Sequence, residues 1–211
     1  MTISQAVLGF ATVAAILTVI PGLDTTLVLR SALVRGRRQA VATAFGIANG
    51  ALIWGAAAAL GAAALLAASH LAYQMVTIGG ALYMGYLGVS MIVKSFRRTG
   101  NGHAASAPVE AASLWRSFLT GTWTNLLNPK IGVFYIATIP QFIPEGTSPL
   151  AMGLLLSAVH ALMSLVWFAV IIIGANSARR WLAHARALRI IDRFAGTVLI
   201  GFGAKLALEH R

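Results

Sequence analysis

Several stretches of this chain approach or exceed the roughly 20 apolar residues needed to cross a bilayer. They lie at about 42–67, 72–93, 150–174 and 190–208. Composition agrees: of 211 residues, 58% are hydrophobic and only 10% charged, where a soluble domain has about a quarter of its residues charged. Mean hydropathy is +0.81. The longest polar connection, Lys94 to Ser113, is too short to bury a core of its own. An all-α integral membrane protein with one membrane domain, 1–211, is expected.

The net charge of +11 would suggest nucleic acid in a soluble protein, but its placement points elsewhere. Arg35, Arg37 and Arg38 share one connection; Lys94, Arg97, Arg98 and Arg116 lie in or beside a second; Arg179, Arg180, Arg186, Arg189 and Arg193 lie in or beside a third. The alternate connections, 68–72 and 144–149, have neither Lys nor Arg. The positive-inside rule places the basic connections in the cytoplasm and predicts six crossings with both termini outside. The N-terminal run lacks the basic start of a secretory signal and is read as the first span. Cysteine is absent, so disulfides and thiolate metal sites are excluded.

Two apolar stretches are interrupted: Ile3 to about Val34 by Pro21-Gly22, and about Leu114 to Ile143 by Asn128-Pro129. Each interruption opens a set of three segments, so the chain divides as 3+3: one repeat at about 1–96, a cytoplasmic loop at about 97–112, and a second repeat at about 113–211. An odd number of crossings per half makes the repeat inverted. Both the first and the fourth helix are expected to be broken, because proline removes a backbone donor and clashes with the preceding turn. From Lys130 to Ile143 a helix rises only about 20 Å, short of the roughly 30 Å hydrocarbon core, so it needs the piece before Pro129. Irregular backbone at that depth requires cover by protein or a polar cavity.

Ionisable groups at membrane depth are costly and therefore candidates for function. Asp24 falls in the first turn after Pro21-Gly22, where it could serve the helix dipole or face a cavity and take an ammonium group or a proton. Lys130, after Pro129, opposes the dipole of the helix it starts; an ion pair with Asp24, recognition of an anionic group, and snorkelling to an interface all remain open. Two helix starts with unpaired N–H groups could meet near the midplane and hold a carboxylate; with Asp24 beside them the site would suit a zwitterion. Asn128 belongs to the second break, with Asn125, Thr122 and Thr124 as further partners for its backbone. Asn49, in a span rich in small residues, is read either as a cavity residue or as a bond to a neighbouring helix. The Gly46/Gly50 pair reads as close helix packing. Trp54, Tyr83, Tyr86, Trp115, Trp123 and Trp167 are open between anchoring, packing and substrate contact. The histidines at 70, 103, 160, 184 and 210 show no metal-ligand spacing, and no nucleophile or phosphate-loop motif is present, so no metal, cofactor or enzyme activity is expected.

The runs "PGLDTTLVLRSALVRGRRQAVATAFGIANGALIWG" and "NLLNPKIGVFYIATIPQFI" resemble the two signature regions of the LysE/RhtB family of bacterial amino-acid exporters, and the similarity covers nearly the whole chain. The resemblance implies secondary, ion-coupled efflux of amino acids or similar small metabolites across the cytoplasmic membrane, with the proton as coupling ion and a homo-oligomer left open. Pro21, Gly22 and Asp24 fall on the first motif and Asn128, Pro129 and Lys130 on the second. Leu23 stands where the family usually has proline, and Ala51 where many members have an acid, leaving Asp24 as the one acid clearly inside the membrane. The partners expected are thus an amino acid, a proton and lipid, with no nucleic acid. The alternatives are a divalent-metal exporter, which would want more carboxylates or histidines at depth, and a membrane scaffold.

Overall fold

The computed structural model describes residues 1–69 and 113–175 continuously, and scattered helical positions within 71–96 and 177–204. The predicted loop at 97–112 lies outside the described residues, as do most of the spans predicted at 72–93 and 190–208. All regular structure among the described residues is helical. In chain order these are α1 (Ile3–Val19), α2 (Leu23–Val34), α3 (Arg37–Ala68), α4 (Leu114–Leu126), α5 (Pro129–Thr138), a 3-10 turn (Ile139–Phe142) and α6 (Pro149–Ile173).

Local chemistry explains the boundaries. Thr2 and Gln5 form a reciprocal capping box at the start of α1, while Ser113 and Ser148 cap α4 and α6 through their hydroxyls. The hydroxyls accept from N–H groups that a helix start leaves unpaired. Between α2 and α3 the chain turns at Gly36 with φ +95°, a left-handed conformation open to glycine and costly for other residues. α5 tightens into the 3-10 turn at Pro140, whose missing N–H cannot continue an α-helix.

Among the described residues, α3 and α6 are each long and apolar enough to cross a membrane alone. The 32 residues of α3 rise about 48 Å, more than a bilayer core. α1 and α2 qualify as one span, bent by 52° where Pro21-Gly22 lies. The α6 surface shows how lipid reverses the usual pattern: Leu162, Val166, Val170 and Ile173 form an exposed apolar stripe, while Ser157, His160 and Ser164 face inward.

α3 is the central helix and packs against α2, α4, α5 and α6. A methyl group at Gly46 would fall on the Phe118 carbonyl oxygen, and one at Gly121 on that of Thr43. Gly55 and Gly153 meet in the same way across α3 and α6. These are backbone-to-backbone contacts, so the Gly46/Gly50 spacing serves packing of α3 on α4. One apolar cluster, with Phe10, Phe134, Tyr135 and Leu156, occupies the side where α1 and α6 begin. A second, with Val28, Ile47, Phe168 and Ile172, gathers α2, the first turns of α3 and the end of α6. The Pro21-Gly22 interruption separates α1, which packs in the first cluster, from α2, which packs in the second.

Candidate substrate site

The two interruptions come together around one small cavity of ≈ 30 Å³, room for about two water molecules. Its wall includes Gly22, Asp24 and Thr25 from the first interruption, and Asn125, Asn128 and Lys130 from the second. Ala48 and Ala51 of α3 and His160 and Ser164 of α6 close it.

The first interruption leaves a specific debt in hydrogen bonds. In an unbroken helix the carbonyl of Leu17 would accept from the N–H of residue 21, which is proline and has none. Lys130 supplies the missing donor: its Nζ donates to the Leu17 carbonyl and to that of Ile20, both at 3.4 Å. The ammonium therefore sits at the C-terminal, electronegative end of α1 although its backbone starts α5. That resolves why a cation opens a helix whose own dipole disfavours it. At the second interruption the repair is local, since the Asn125 carbonyl, deprived of a partner by Pro129, accepts from the Asn128 N–H at 3.1 Å.

Asp24 is the reciprocal contact. It lies in the first turn of α2, and its Oδ2 accepts from Nδ2 of Asn125, near the end of α4, at 2.9 Å. Each interruption thus lends a side chain to the other, across more than 100 residues of sequence. Lys130 and Asp24 line the same cavity. Two oxygens of residues in this wall, Oδ1 of Asp24 and Oδ1 of Asn125, the latter close to Gly50 of α3, are buried with no hydrogen-bond partner. Asn125 is only 2% exposed. Buried acceptors left unpaired are costly, and these two suit a donor-rich cationic group such as an ammonium.

The helix starts are not equivalent, contrary to the symmetric expectation. Asn128 caps α5 through its side-chain oxygen, which accepts from the Lys130 N–H at 3.1 Å, and its carbonyl accepts from Ile131 and Gly132. α2 starts at Gly22 with no side-chain cap, so its positive end faces the cavity uncapped.

Of the residues singled out from sequence, Asp24, Asn128, Lys130 and Gly22 line the cavity, with Pro21 and Pro129 beside them in the chain. Asn49 is half-buried on α3 and is not among the lining residues; Ala48 and Ala51 are. Ala51 thus puts a methyl group in the wall where the resemblance pointed to an acid. Thr122 bonds the Gly46 carbonyl at 3.0 Å, tying α4 to α3. Among the aromatics, Trp115, Trp123 and Tyr86 are exposed, Trp54 lies on Gly132 and Trp167 packs against the second apolar cluster; Tyr83 lies outside the described residues. Asn125 and His160 were not singled out from sequence as cavity residues. Among the described residues, no group of three or more His, Asp or Glu side chains is close enough to hold a metal ion.

A helical membrane protein whose two interruptions meet at a half-buried acid, a half-buried cation and unpaired acceptors has the construction of a membrane transport protein. Comparison with known sequences agrees with that class. Residues 15–210 match the LysE type translocators, and the chain belongs to this family. It is 30% identical to the threonine efflux protein of Escherichia coli (strain K12) over 195 residues, 90% of this chain and 91% of that protein. It is 28% identical to the leucine efflux protein of Enterobacter sp. (strain 638) over 193 residues, 90% of each chain. An uncharacterized membrane protein of Bacillus subtilis is 28% identical over 209 residues, 97% of this chain and all of that one. No solved structure matches the chain.

Proposed function

We propose that this protein is a secondary-active exporter of amino acids or small amino-acid-like metabolites across the bacterial cytoplasmic membrane, driven by the proton gradient. It works as one membrane domain of six spans with both termini outside. The repeats at about 1–96 and 113–211 are inverted, and the broken first and fourth helices form a common site with access alternating between the two faces. The observation that carries the reading is the meeting of Asp24 and Lys130, from opposite halves, around a cavity with two unpaired acceptors. The substrate ammonium takes Oδ1 of Asp24 and of Asn125, and its carboxylate lies toward Lys130 and the uncapped start of α2. With room for about two waters, the cavity admits an amino acid only after the walls separate. The names of the threonine and leucine efflux relatives support the substrate class.

Purified protein in vesicles preloaded with unlabelled amino acids tests the reading. Labelled threonine, leucine or another of the standard amino acids is expected to enter by exchange, and no exchange of any of them rejects an amino-acid exporter. Asp24→Asn is expected to reduce exchange at least about a hundredfold, the scale of losing a charged contact made to a buried cation, with unchanged protein in the membrane. Full exchange by that variant removes Asp24 from the site.

A further inference from the structure

If the proposed site holds a zwitterion, its two strongest charges are committed. Asp24 holds Asn125 with one oxygen and keeps the other for the ammonium. Lys130 holds the Leu17 and Ile20 carbonyls. The remaining titratable side chain in the wall is His160 on α6, 4% exposed. Its Nδ1 lies 2.8 Å from the Tyr135 hydroxyl, and its ring is seated against Phe10, Phe134 and Tyr135, with centroids 5.6–6.5 Å apart. Packing alone does not account for it: a phenyl ring would fill the same aromatic nest without an imidazole to desolvate.

We propose that His160, oriented by Tyr135, is the proton-carrying group of the transport cycle, separate from the carboxylate that binds substrate. This rests on the exporter reading above.

The hydroxyl partner suits a group that changes charge. Nδ1 keeps its proton in both states and donates it to the Tyr135 oxygen, which leaves Nε2 bare in the neutral ring and protonated in the imidazolium. One short contact therefore serves both states, and neither leaves Nδ1 unpaired. The proton arrives at the other ring nitrogen, Nε2, from water at the outer face and returns from it to water at the inner face. Each transfer exchanges one O–H bond of a hydrated proton for one N–H bond, or the reverse, and no other bond changes. The charged and titratable groups around the ring are Tyr135 and Lys130 from α5 and Asp24 from α2; α1 contributes Phe10 and α3 contributes Ala51, neither of which titrates. Uptake of a proton beside Lys130 raises the local positive charge, which favours release of a bound ammonium. That is the coupling an exporter driven by inward proton flow needs.

Exchange of labelled for unlabelled amino acid requires no net proton movement, whereas accumulation against a gradient under an imposed pH difference does. For wild type both are measured in vesicles with an amino acid found by the exchange screen. Absence of exchange in wild type overturns the exporter reading and this inference with it. With wild type active, His160→Gln is expected to lower the ratio of pH-driven accumulation to exchange at least about tenfold. Equal loss of both activities assigns His160 to binding or folding and overturns the proposal, as does a wild-type ratio. Tyr135→Phe keeps the ring packing and removes the hydroxyl. It is expected to change the pH dependence of driven accumulation, and a wild-type pH profile removes Tyr135 from its positioning role.

Discussion

Lys130 carries two jobs that a single substitution separates. Its hydrogen bonds replace the donor that Pro21 lacks, and its charge sets the potential of the cavity. Lys130→Met removes both, leaving carbonyls at the end of α1 without this donor. A loss of about 1–3 kcal/mol of stability is expected, read as a lower unfolding temperature in detergent together with loss of exchange. Lys130→Arg keeps a cation and its donors, and is expected to restore a large part of the unfolding temperature while exchange stays impaired, because a planar fork does not reproduce a point charge. Equal unfolding temperatures for Lys130→Met and wild type remove the hydrogen bonds from any structural role. At this scale the sequence was legible where the cause is local. Proline announces its missing donor, so both interruptions could be placed to the residue; a charge in an apolar stretch announces itself likewise, which singled out Asp24 and Lys130, both in the cavity wall. Asn125 was not legible as the partner of Asp24, since that contact spans 101 positions. The acceptors of Lys130 are backbone carbonyls, which leave no mark in a sequence. His160 had no spacing pattern to single it out. Asn49 shows the limit of polarity as a guide: one residue along a helix turns a side chain by roughly 100°, and the small neighbours Ala48 and Ala51 face the cavity instead.

Among the elements, α3 depends most on the absence of side chains. Its crossings with α4 and α6 rest on Gly46 against Phe118, Gly121 against Thr43, and Gly55 against Gly153. The obstacle at Gly46 is backbone, which cannot change rotamer to make room. Gly46→Val is therefore expected to lower stability by more than about 2 kcal/mol and to reduce the amount of folded protein in the membrane. Gly61, on the same helix, has nothing among the described residues within 4 Å of where a methyl would stand; Gly61→Ala is expected to match or exceed wild-type stability, since alanine is the better helix former by about 1 kcal/mol. Unfolding temperatures of both variants in one detergent decide it, and equal tolerance would deny that α3 is packed through its backbone. The course of α3 was readable from its length and lack of charge. Which of its glycines matter was not, because glycine is common in membrane helices for several reasons and only the neighbouring helix distinguishes Gly46 from Gly61.

The way α3 is packed bears on how the whole molecule moves. Division by sequence assigns α3 to the first half, yet its backbone contacts are with α4 and α6 of the second. Surfaces joined through glycine interlock closely and resist sliding, whereas surfaces joined through side chains repack at lower cost. The α1 contacts are of the second kind: Gly9 approaches the ring of Phe142 rather than its backbone, and Phe10 sits edge-on to that ring at 5.9 Å. The rigid unit is accordingly expected to be α3 with α4 and α6, and α1 with α2 the part that shifts about the 52° bend when the cavity opens. A chain without cysteine allows this to be measured by pairs of spin labels on exposed lipid-facing positions. Labels at Phe45 and Trp123, on α3 and α4, should keep one distance with and without substrate. Labels at Leu8 and Leu162, on α1 and α6, should shift or broaden in distribution. All four sites are more than half exposed, so the labels themselves disturb no core contact. If instead both distances change together, the halves move as the sequence divides them, and the glycine contacts are hinges rather than welds.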